Sequence, residues 1–329
     1  MTPPLVVIAG ATATGKTALA IALAQRFPEG AEVVSADSVQ IYRGLDIGSA
    51  KPTEAERAGV VHHLLDVADP TDAFDAARYR DLADQAIADI TARGKVALVV
   101  GGTGLYLRAL VYGLAEGIPA DPALRATLHA RIDAGGPAAL AQMHAELALV
   151  DPVYAAKIHP TDPIRIVRAL EVFALSGVPL SEHHRRHQAL PPRHRAMFFG
   201  LEVPREVLRP RVRARVGAML AQGLVAEVEG LLARGVPADA KPLRSVGYAE
   251  VVAVLRGEAP RAGLGEAMET ATMAFAKRQR TWFRGEQGVR WLSPEALGSE
   301  PVWAEILHFV RNAPEGDGLS PASSPSSAA

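Results

Sequence analysis

The N-terminal part of the chain contains an apolar run, a glycine-rich loop and a helix-forming stretch in an order that suits phosphate binding. Residues 5–9 are apolar, residues 10–17 read GATATGKT, and residues 16–27 favour a helix. In such a loop the glycines let backbone N–H groups surround an anion, the lysine neutralises its charge, and the final hydroxyl can bind Mg²⁺. The dipole of the following helix adds to the attraction. The pattern predicts a phosphate or diphosphate site, and an ordinary glycine-rich turn is the alternative.

Strand and helix patterns alternate through the first third of the sequence, which predicts an α/β fold with a parallel sheet and helices on both faces. In such sheets ligands bind beyond the carboxyl ends of the strands. The phosphate loop, residues 36–38 and residues 102–104 should therefore converge there. The predicted elements are strands at 5–9, 32–35 and 96–100, and helices at 16–27, 75–92 and 105–110.

The middle of the chain changes to helical patterns punctuated by Gly-Gly-Pro, Asp-Pro and Gly-Val-Pro, with no convincing strand. This change predicts an all-helical domain inserted into the α/β core. A strand at 198–203 then returns to the sheet, and helices follow at 205–234 and 264–284. The predicted division is a catalytic core at 1–114, a helical domain at 115–197, the rest of the core at 198–311 and a disordered tail at 312–329.

Composition excludes several classes of protein. The 329 residues contain no cysteine, so disulfides, thiolate catalysis and cysteine-based zinc sites are ruled out. No basic targeting segment precedes the first apolar run, and no apolar stretch approaches the roughly 20 residues of a membrane span, so we expect a cytoplasmic protein without a membrane partner. The net charge is −1, yet arginines cluster over 185–215. That cluster is a candidate surface for a nucleic-acid backbone, or an ordinary solvated face.

Asp37 and Thr103 are candidate catalytic residues because each follows a predicted strand. Asp37 could act as a general base or as a Mg²⁺ ligand, and a turn-capping role is equally compatible. Thr103 could contact a ligand, or belong to an ordinary loop. Asp66 and Asp69 lie near two histidines, but the spacing favours a turn over a metal site.

Basic side chains on two predicted helices are further candidates. Arg211 and Arg215 flank the apolar stripe of a helix predicted around 207–222, and either could neutralise a leaving diphosphate or simply extend to solvent. Residues 277–284 read KRQRTWFR and combine four cations with two aromatics. This mixture suits single-stranded nucleic acid, and it also occurs in amphipathic helices that pack their aromatics into a core.

Taken together, these segments closely resemble the tRNA dimethylallyltransferases, also called isopentenyl-tRNA transferases, of bacterial type. The resemblance extends from about residue 5 to residue 292. The segments that carry it, in order, are 10–17, SADSVQIY at 35–42, DIGSAKP at 46–52, HHLLD at 62–66, VGGTGLY at 100–106, RALEV at 168–172, SVGY at 245–248 and KRQRTWFR at 277–284.

This resemblance implies a P-loop NTPase-like fold and transfer of a dimethylallyl group from its diphosphate to N6 of the adenosine 3′ of the tRNA anticodon. It implies that Asp37 is the base at N6 and that Thr103 orients the adenine. Mg²⁺ bound at Thr17, together with Arg211 or Arg215, would hold the diphosphate. The implied diphosphate-binding residues are Gly10, Ala11, Thr12, Ala13, Thr14, Gly15, Lys16 and Thr17.

The resemblance also implies a surface for the tRNA anticodon stem-loop, and we expect a monomer. Two positions depart from the family pattern: Ile164 replaces a common Gln, and Ala249 replaces a common Arg. A P-loop small-molecule kinase, an enzyme that prenylates free adenine nucleotides and an RNA-binding NTPase are the alternatives. The implied tRNA contacts are Asp37, Ser38, Val39, Gln40, Thr103, Arg125, Arg165, Arg168, Arg244, Gly247, Tyr248, Lys277, Arg278, Arg280 and Arg284.

Overall fold

A parallel β-sheet organises the chain. The computed structural model describes residues 3–312 except 116, 117 and 119, so all of the predicted tail but Asn312 lies outside the described residues. Six strands pair in the order β3-β2-β4-β1-β5-β6, and every pairing is parallel. They are β1 (Leu5–Gly10), β2 (Ala31–Ala36), β3 (His62–His63), β4 (Val96–Gly101), β5 (Ala196–Leu201) and β6 (Val289–Leu292).

Helices flank this sheet, which confirms the predicted fold class. Those of the sheet-containing part are α1 (Lys16–Ala24), α2 (Glu54–Arg57), α3 (Ala76–Ala92), α4 (Gly104–Val111), α9 (Arg205–Ala221), α10 (Leu224–Ala233), α11 (Tyr248–Leu255), α12 (Leu264–Arg284), α13 (Pro294–Leu297) and α14 (Glu300–Arg311). The remaining helices are α5 (Pro122–Val150), α6 (Pro152–Ala155), α7 (Pro163–Ser176) and α8 (Leu180–Gln188).

The central strands are buried along their whole length, as expected for a parallel sheet covered by helices. In register, Val7 lies between Val99 of β4 and Phe198 of β5. Alternate residues such as Ile8 point to one face, where they pack on α1 and α14. On that face the rings of Phe27 and Trp303 meet edge-on, with centroids 4.6 Å apart.

The chain divides into two compact units. One contains the residues up to Val111 and from Arg193 onward, and the other contains 112–192. In the described part of the second unit all regular elements are helices, α5 to α8. They enclose a core of their own that includes Met143, Leu147 and Ile166.

Several predicted boundaries need correction. The strand predicted at 198–203 is β5 at 196–201, so residues 196 and 197 belong to the sheet. The helical stretch predicted at 205–234 contains two helices: α9 matches the helix predicted around 207–222, and Gly223, with φ 97°, lies between α9 and α10. The sequence also did not predict β3, β6, α13 or α14.

No single helix among the described residues is long and apolar enough to cross a membrane. Only α9 and α10 taken together are long and apolar enough for a membrane span, and they are bent by 54° relative to each other.

Candidate active site

The phosphate loop folds around the end of β1. Gly15, the residue before α1, has φ 90°, a conformation that favours glycine and turns the chain into the helix. The Lys16 ammonium crosses the loop and donates to the carbonyl oxygen of Ala11 at 2.7 Å. The Thr14 hydroxyl donates to the same oxygen at 2.8 Å. The loop therefore presents a lysine and the N-terminus of a helix at the carboxyl edge of the sheet, as a phosphate site requires.

Asp37 and Thr103 meet at the neighbouring strand ends. Asp37 follows β2 directly, and its Oδ1 accepts hydrogen bonds from the backbone N–H of Val39 at 2.8 Å and of Gln40 at 3.2 Å. The Thr103 hydroxyl oxygen accepts from the N–H of Ser38 at 3.0 Å. The other Asp37 oxygen makes no hydrogen bond to a described residue, so it is available to receive a proton.

Electrostatics place Asp37, Lys16 and Arg215 together. Burial lowers the pKa of Lys16 to about 8; the positive charge of Arg215 acts in the same direction, and the negative charge of Asp37 opposes both. Burial also lowers the pKa of Arg215, while Asp37 raises it. The phosphate loop is thus bordered by two cations and one carboxylate.

The two candidate arginines on α9 differ in their surroundings. Arg215 is half-buried beside Lys16 and Asp37. Arg211 is exposed, and its charge helps to lower the pKa of Glu295. Side chains four residues apart lie on one face of a helix, but of these two only Arg215 is among the charges that shift the pKa of Lys16. The geometry favours Arg215 over Arg211 as the residue near a bound diphosphate.

The sequence analysis missed Gln279, a buried residue of α12. Its side-chain oxygen accepts from the backbone N–H of Thr12 at 2.8 Å, and its side-chain nitrogen donates to the Gly102 carbonyl at 2.9 Å. The one available signal was its position inside the basic segment 277–284. An uncharged residue between cations marked the buried side of that helix.

Comparisons with known proteins identify the family of the chain. A family model described as IPP transferase matches residues 40–286. The chain is 48% identical over 293 residues to tRNA dimethylallyltransferase 1 of Trichlorobacter lovleyi, covering 89% of this chain and 94% of that one. The chain belongs to the IPP transferase family. The tRNA dimethylallyltransferase of Anaeromyxobacter sp. strain K is 51% identical over 294 residues, covering 88% of this chain and 93% of its own length.

Two solved structures share the fold. The full-length tRNA isopentenylpyrophosphate transferase of Bacillus halodurans has a TM-score of 0.68 at 35% identity, covering 93% of this chain and 96% of that one. A eukaryotic dimethylallyltransferase acting on tRNA has a TM-score of 0.77 at 27% identity, with 95% and 81% covered. The resemblance inferred from the motifs is confirmed, and so is the P-loop NTPase-like fold. As an IPP transferase, the chain is an enzyme of the prenyltransferase class.

The basic segment of this IPP transferase forms the last turns of α12. Lys277 and Arg278 are exposed, Arg280 is half-buried, and none of the three forms an ion pair within the part of the chain that the structure describes. Lys277 and Arg280 line a cavity of about 380 Å³ together with Ala11 and Thr14 of the phosphate loop. Lys277 and Arg280 are therefore free to meet an anion beside that loop.

The two aromatics of the segment pack into the protein. Phe283 is 0% exposed and its ring meets that of Phe198 edge-on. Trp282 lies under the guanidinium of Arg108, 4.6 Å from the ring centroid. The alternative of core packing, left open by the sequence, holds for these aromatics. Arg284 pairs with Glu202 at 2.6 Å and is less free than its neighbours.

The predicted tRNA contacts in the second unit are engaged in ion pairs. Glu171 is 0% exposed and accepts from Arg125 at 2.9 Å and from Arg168 at 2.7 Å. Arg165 lies 3.4 Å from Asp162, the capping residue of α7. Arg125 and Arg168 thus stabilise a buried carboxylate, whatever else they contact.

Tyr248 differs most from its predicted role as an RNA contact. Its side chain is 0% exposed, and its hydroxyl donates to Glu227 at 2.7 Å. Glu227 in turn accepts from the backbone N–H groups of residues 46–48. Tyr248 therefore fixes the 46–48 loop from inside the protein. Arg244 stays near its own loop, where it donates to the carbonyl of Asp239, and Gly247, with φ 94°, precedes α11.

The residues near the phosphate loop suit a Mg²⁺ ion that is coordinated mainly by the bound substrate and only weakly by protein side chains. Among the described residues no group of three or more His, Cys, Asp or Glu side chains forms a metal site. The hydroxyl of Thr17 makes no hydrogen bond to any residue that the structure describes. Mg²⁺ commonly keeps several waters and binds substrate phosphates with few protein ligands. A single hydroxyl beside a diphosphate site fits that preference. Asp66 and Asp69 are instead paired with Lys51 and Arg43.

Proposed function

We propose that this enzyme transfers a dimethylallyl group from dimethylallyl diphosphate to N6 of the adenosine 3′-adjacent to the anticodon in tRNA. The observation that carries the proposal is the position of Asp37, which shares the sheet edge with Lys16 and Arg215. One side of this site attracts a diphosphate and the other offers a base. The names of the relatives, tRNA dimethylallyltransferases, supply the acceptor and the donor.

The proposed reaction forms two bonds, N–C and the O–H of protonated Asp37, and breaks two, C–O and N–H. The N6 nitrogen attacks the first carbon of the dimethylallyl group, and the bond from that carbon to the diphosphate oxygen breaks. The N6 proton goes to Asp37, whose free carboxylate oxygen has no competing hydrogen bond among the described residues. Since an exocyclic adenine amine is a weak nucleophile, removal of its proton and correct positioning carry much of the catalysis.

We propose that the phosphate loop stabilises the diphosphate as it leaves. The Thr12 N–H is taken by Gln279, and the other backbone N–H groups, the Lys16 ammonium and the Arg215 guanidinium stabilise the negative charge that grows on the leaving oxygen. Thr17 would hold Mg²⁺, which when bound supplies further positive charge to the diphosphate. Thr103 keeps Ser38 and hence the Asp37 turn in place.

We assign RNA binding first to the free cations of α12. Lys277, Arg278 and Arg280 can neutralise backbone phosphates while the target adenosine leaves its stack to reach Asp37. Because neighbouring nucleotides must also be held, the anticodon stem-loop is the expected partner. The residues of the second unit stay candidates for further contacts. We further propose a cytoplasmic monomer.

A single assay separates this function from the alternatives. Purified protein is incubated with Mg²⁺, unmodified tRNA and dimethylallyl diphosphate, and the nucleosides are analysed by mass spectrometry. Dimethylallyladenosine in the tRNA is the expected product. Parallel reactions contain AMP in place of tRNA, or ATP in place of the prenyl donor. Prenylated AMP with unmodified tRNA would indicate a free-nucleotide enzyme, and phosphate release from ATP without prenylation would indicate a kinase or an RNA-binding NTPase.

A further inference from the structure

Gln279 connects two loops that are far apart in sequence. The residue is 8% exposed, and its side-chain amide makes one hydrogen bond to each loop: the oxygen accepts from Thr12 N–H, and the nitrogen donates to the Gly102 carbonyl. Thr12 belongs to the phosphate loop, and Gly102 precedes Thr103. A primary amide suits this place because it carries a donor and an acceptor together.

The helix that carries Gln279 presses directly on the Thr103 loop. A Cβ atom on Gly102 would lie 2.3 Å from the Gln279 side-chain nitrogen, and one on Gly104 would lie 2.0 Å from the indole nitrogen of Trp282. Neither glycine has a positive φ, so close approach, and not backbone conformation, favours glycine at both, and a side chain at Gly102 would displace the Gln279 amide. Because Gln279 and Trp282 are three residues apart, one face of α12 shapes this loop.

The contacts continue from this loop to the base. Thr103 accepts the N–H of Ser38, the residue after Asp37, and the Thr103 N–H donates to the Ala36 carbonyl at 3.1 Å. Gln279 therefore lies between the phosphate loop on one side and the loops of Thr103 and Asp37 on the other. A shift of its amide would change the separation of these two sides.

We propose that Gln279 is a positioning residue that sets the distance between the bound prenyl diphosphate and the adenosine held at Thr103 and Asp37. The inference rests on the function proposed above. Gln279 touches neither substrate and acts through Thr12 and Gly102. Transfer requires the carbon of the donor and the nitrogen of the acceptor in near-contact, and a misplacement of about 1 Å can reduce the rate roughly 100-fold.

The first test replaces the amide with an apolar side chain of similar length, Gln279→Met. We expect kcat per folded molecule to fall roughly 10- to 100-fold, while KM for tRNA and for dimethylallyl diphosphate changes by less than about threefold. The matched control is Phe283→Leu, on the same helix and fully buried, with no polar link to either loop. It should lower the unfolding temperature and leave kcat per folded molecule within about twofold.

The second test uses Gln279→Glu, because protonation of the new carboxyl restores the missing donor. An ionised glutamate can only accept, whereas a protonated one can accept from Thr12 and donate to Gly102. We expect the ratio of variant to wild-type kcat to rise as the pH falls. The pH profile of Phe283→Leu relative to wild type should be flat.

Three results would overturn the proposal. The first is an equal loss of kcat per folded molecule in Gln279→Met and Phe283→Leu. The second is a defect of Gln279→Met that is confined to KM for tRNA. The third is a ratio of Gln279→Glu kcat to wild-type kcat that does not change with pH. Failure of the proposed function looks different: wild-type enzyme itself would then form no prenylated adenosine, and both proposals would fall together.

Discussion

Asp37 has two roles, as the cap of a turn and as the proposed base, and the substitution Asp37→Asn separates them. Its Oδ1 caps the turn at Val39 and Gln40, and its other oxygen is the proposed base. Asp37→Asn keeps an oxygen for the cap and removes the base, so kcat should fall about 100-fold or more while tRNA affinity and thermal stability stay close to wild type. Steady-state kinetics measure kcat, and RNA-binding measurements give the tRNA affinity. The control is Asp75→Asn, at the capping residue of α3.

The opposite pattern would remove Asp37 from the role of base. If Asp37→Asn weakened tRNA binding and left the rate of the bound complex unchanged, the carboxylate would serve in tRNA binding and not as the base. Asp37→Ala is a poorer test, because it also removes the two backbone hydrogen bonds of the turn.

Lys16 gives the site a pH dependence. Burial and Arg215 lower its pKa to about 8, so above that pH a growing fraction of the free enzyme has a neutral amine. Diphosphate favours the charged form, and binding above pH 8 must therefore take up a proton. We expect the affinity advantage of wild type over Lys16→Met to be largest below pH 8 and to shrink above it.

Calorimetric titration with inorganic diphosphate measures this difference. Because both proteins are titrated with the same ligand, the ligand's own ionisation cancels. The heats in buffers of different ionisation enthalpy report the proton uptake. A constant advantage up to pH 10 would contradict the assigned pKa.

At the scale of elements, α12 tests the proposed RNA surface. Arg278→Ala combined with Arg280→Ala should weaken tRNA binding and reduce the magnitude of its salt dependence by about one unit of slope per lost phosphate contact. The matched control removes two paired arginines, Arg256 and Arg290, which lie beside Glu258 and Glu305. Binding measured across a series of salt concentrations gives both slopes.

Equal slopes for the two double variants would mean that α12 acts only through net charge. A loss of affinity with an unchanged slope would place the two arginines away from phosphates.

The long elements could be predicted from the sequence, and the short ones could not. Apolar runs such as 96–100 and the stripe of α9 are local signals that tertiary packing only reinforces. The two-residue β3 has no such signal and exists because it pairs with Val33 and Val34. The four-residue β6 likewise depends on β5.

At the scale of the whole molecule, Glu32 ties strands β2 and β3 to the turn between α3 and β4. It is 1% exposed on β2 and contacts Arg93, Lys95 and, from β3, His63. Burial would raise the pKa of Glu32, but the hydrogen bonds from these three partners outweigh burial and lower it to about 2. A folded-state pKa below the unfolded value of 4.5 means stability that is present above pH 4.5 and is lost as the pH falls toward 2.

The change Glu32→Gln should therefore lower the free energy of unfolding by about 3 kcal/mol at pH 7, and by progressively less below pH 4.5. Urea unfolding at pH 7, 4 and 3 measures this difference. Glu305→Gln, which breaks an exposed ion pair with Arg290, is the control and should cost less than about 1 kcal/mol. A difference between wild type and Glu32→Gln that stays constant with pH would show that Glu32 is not ionised in the way described.

The sequence alone determined the phosphate loop, the parallel sheet and the positions of Asp37 and Thr103 at strand ends, because each rests on residues close together in the chain. Tertiary structure decided that Arg215, and not Arg211, lies beside Lys16. It also placed Tyr248 inside the protein and Gln279 between two loops. These outcomes depend on which distant segments pack together, and the local pattern of a helix does not specify the partner of each face.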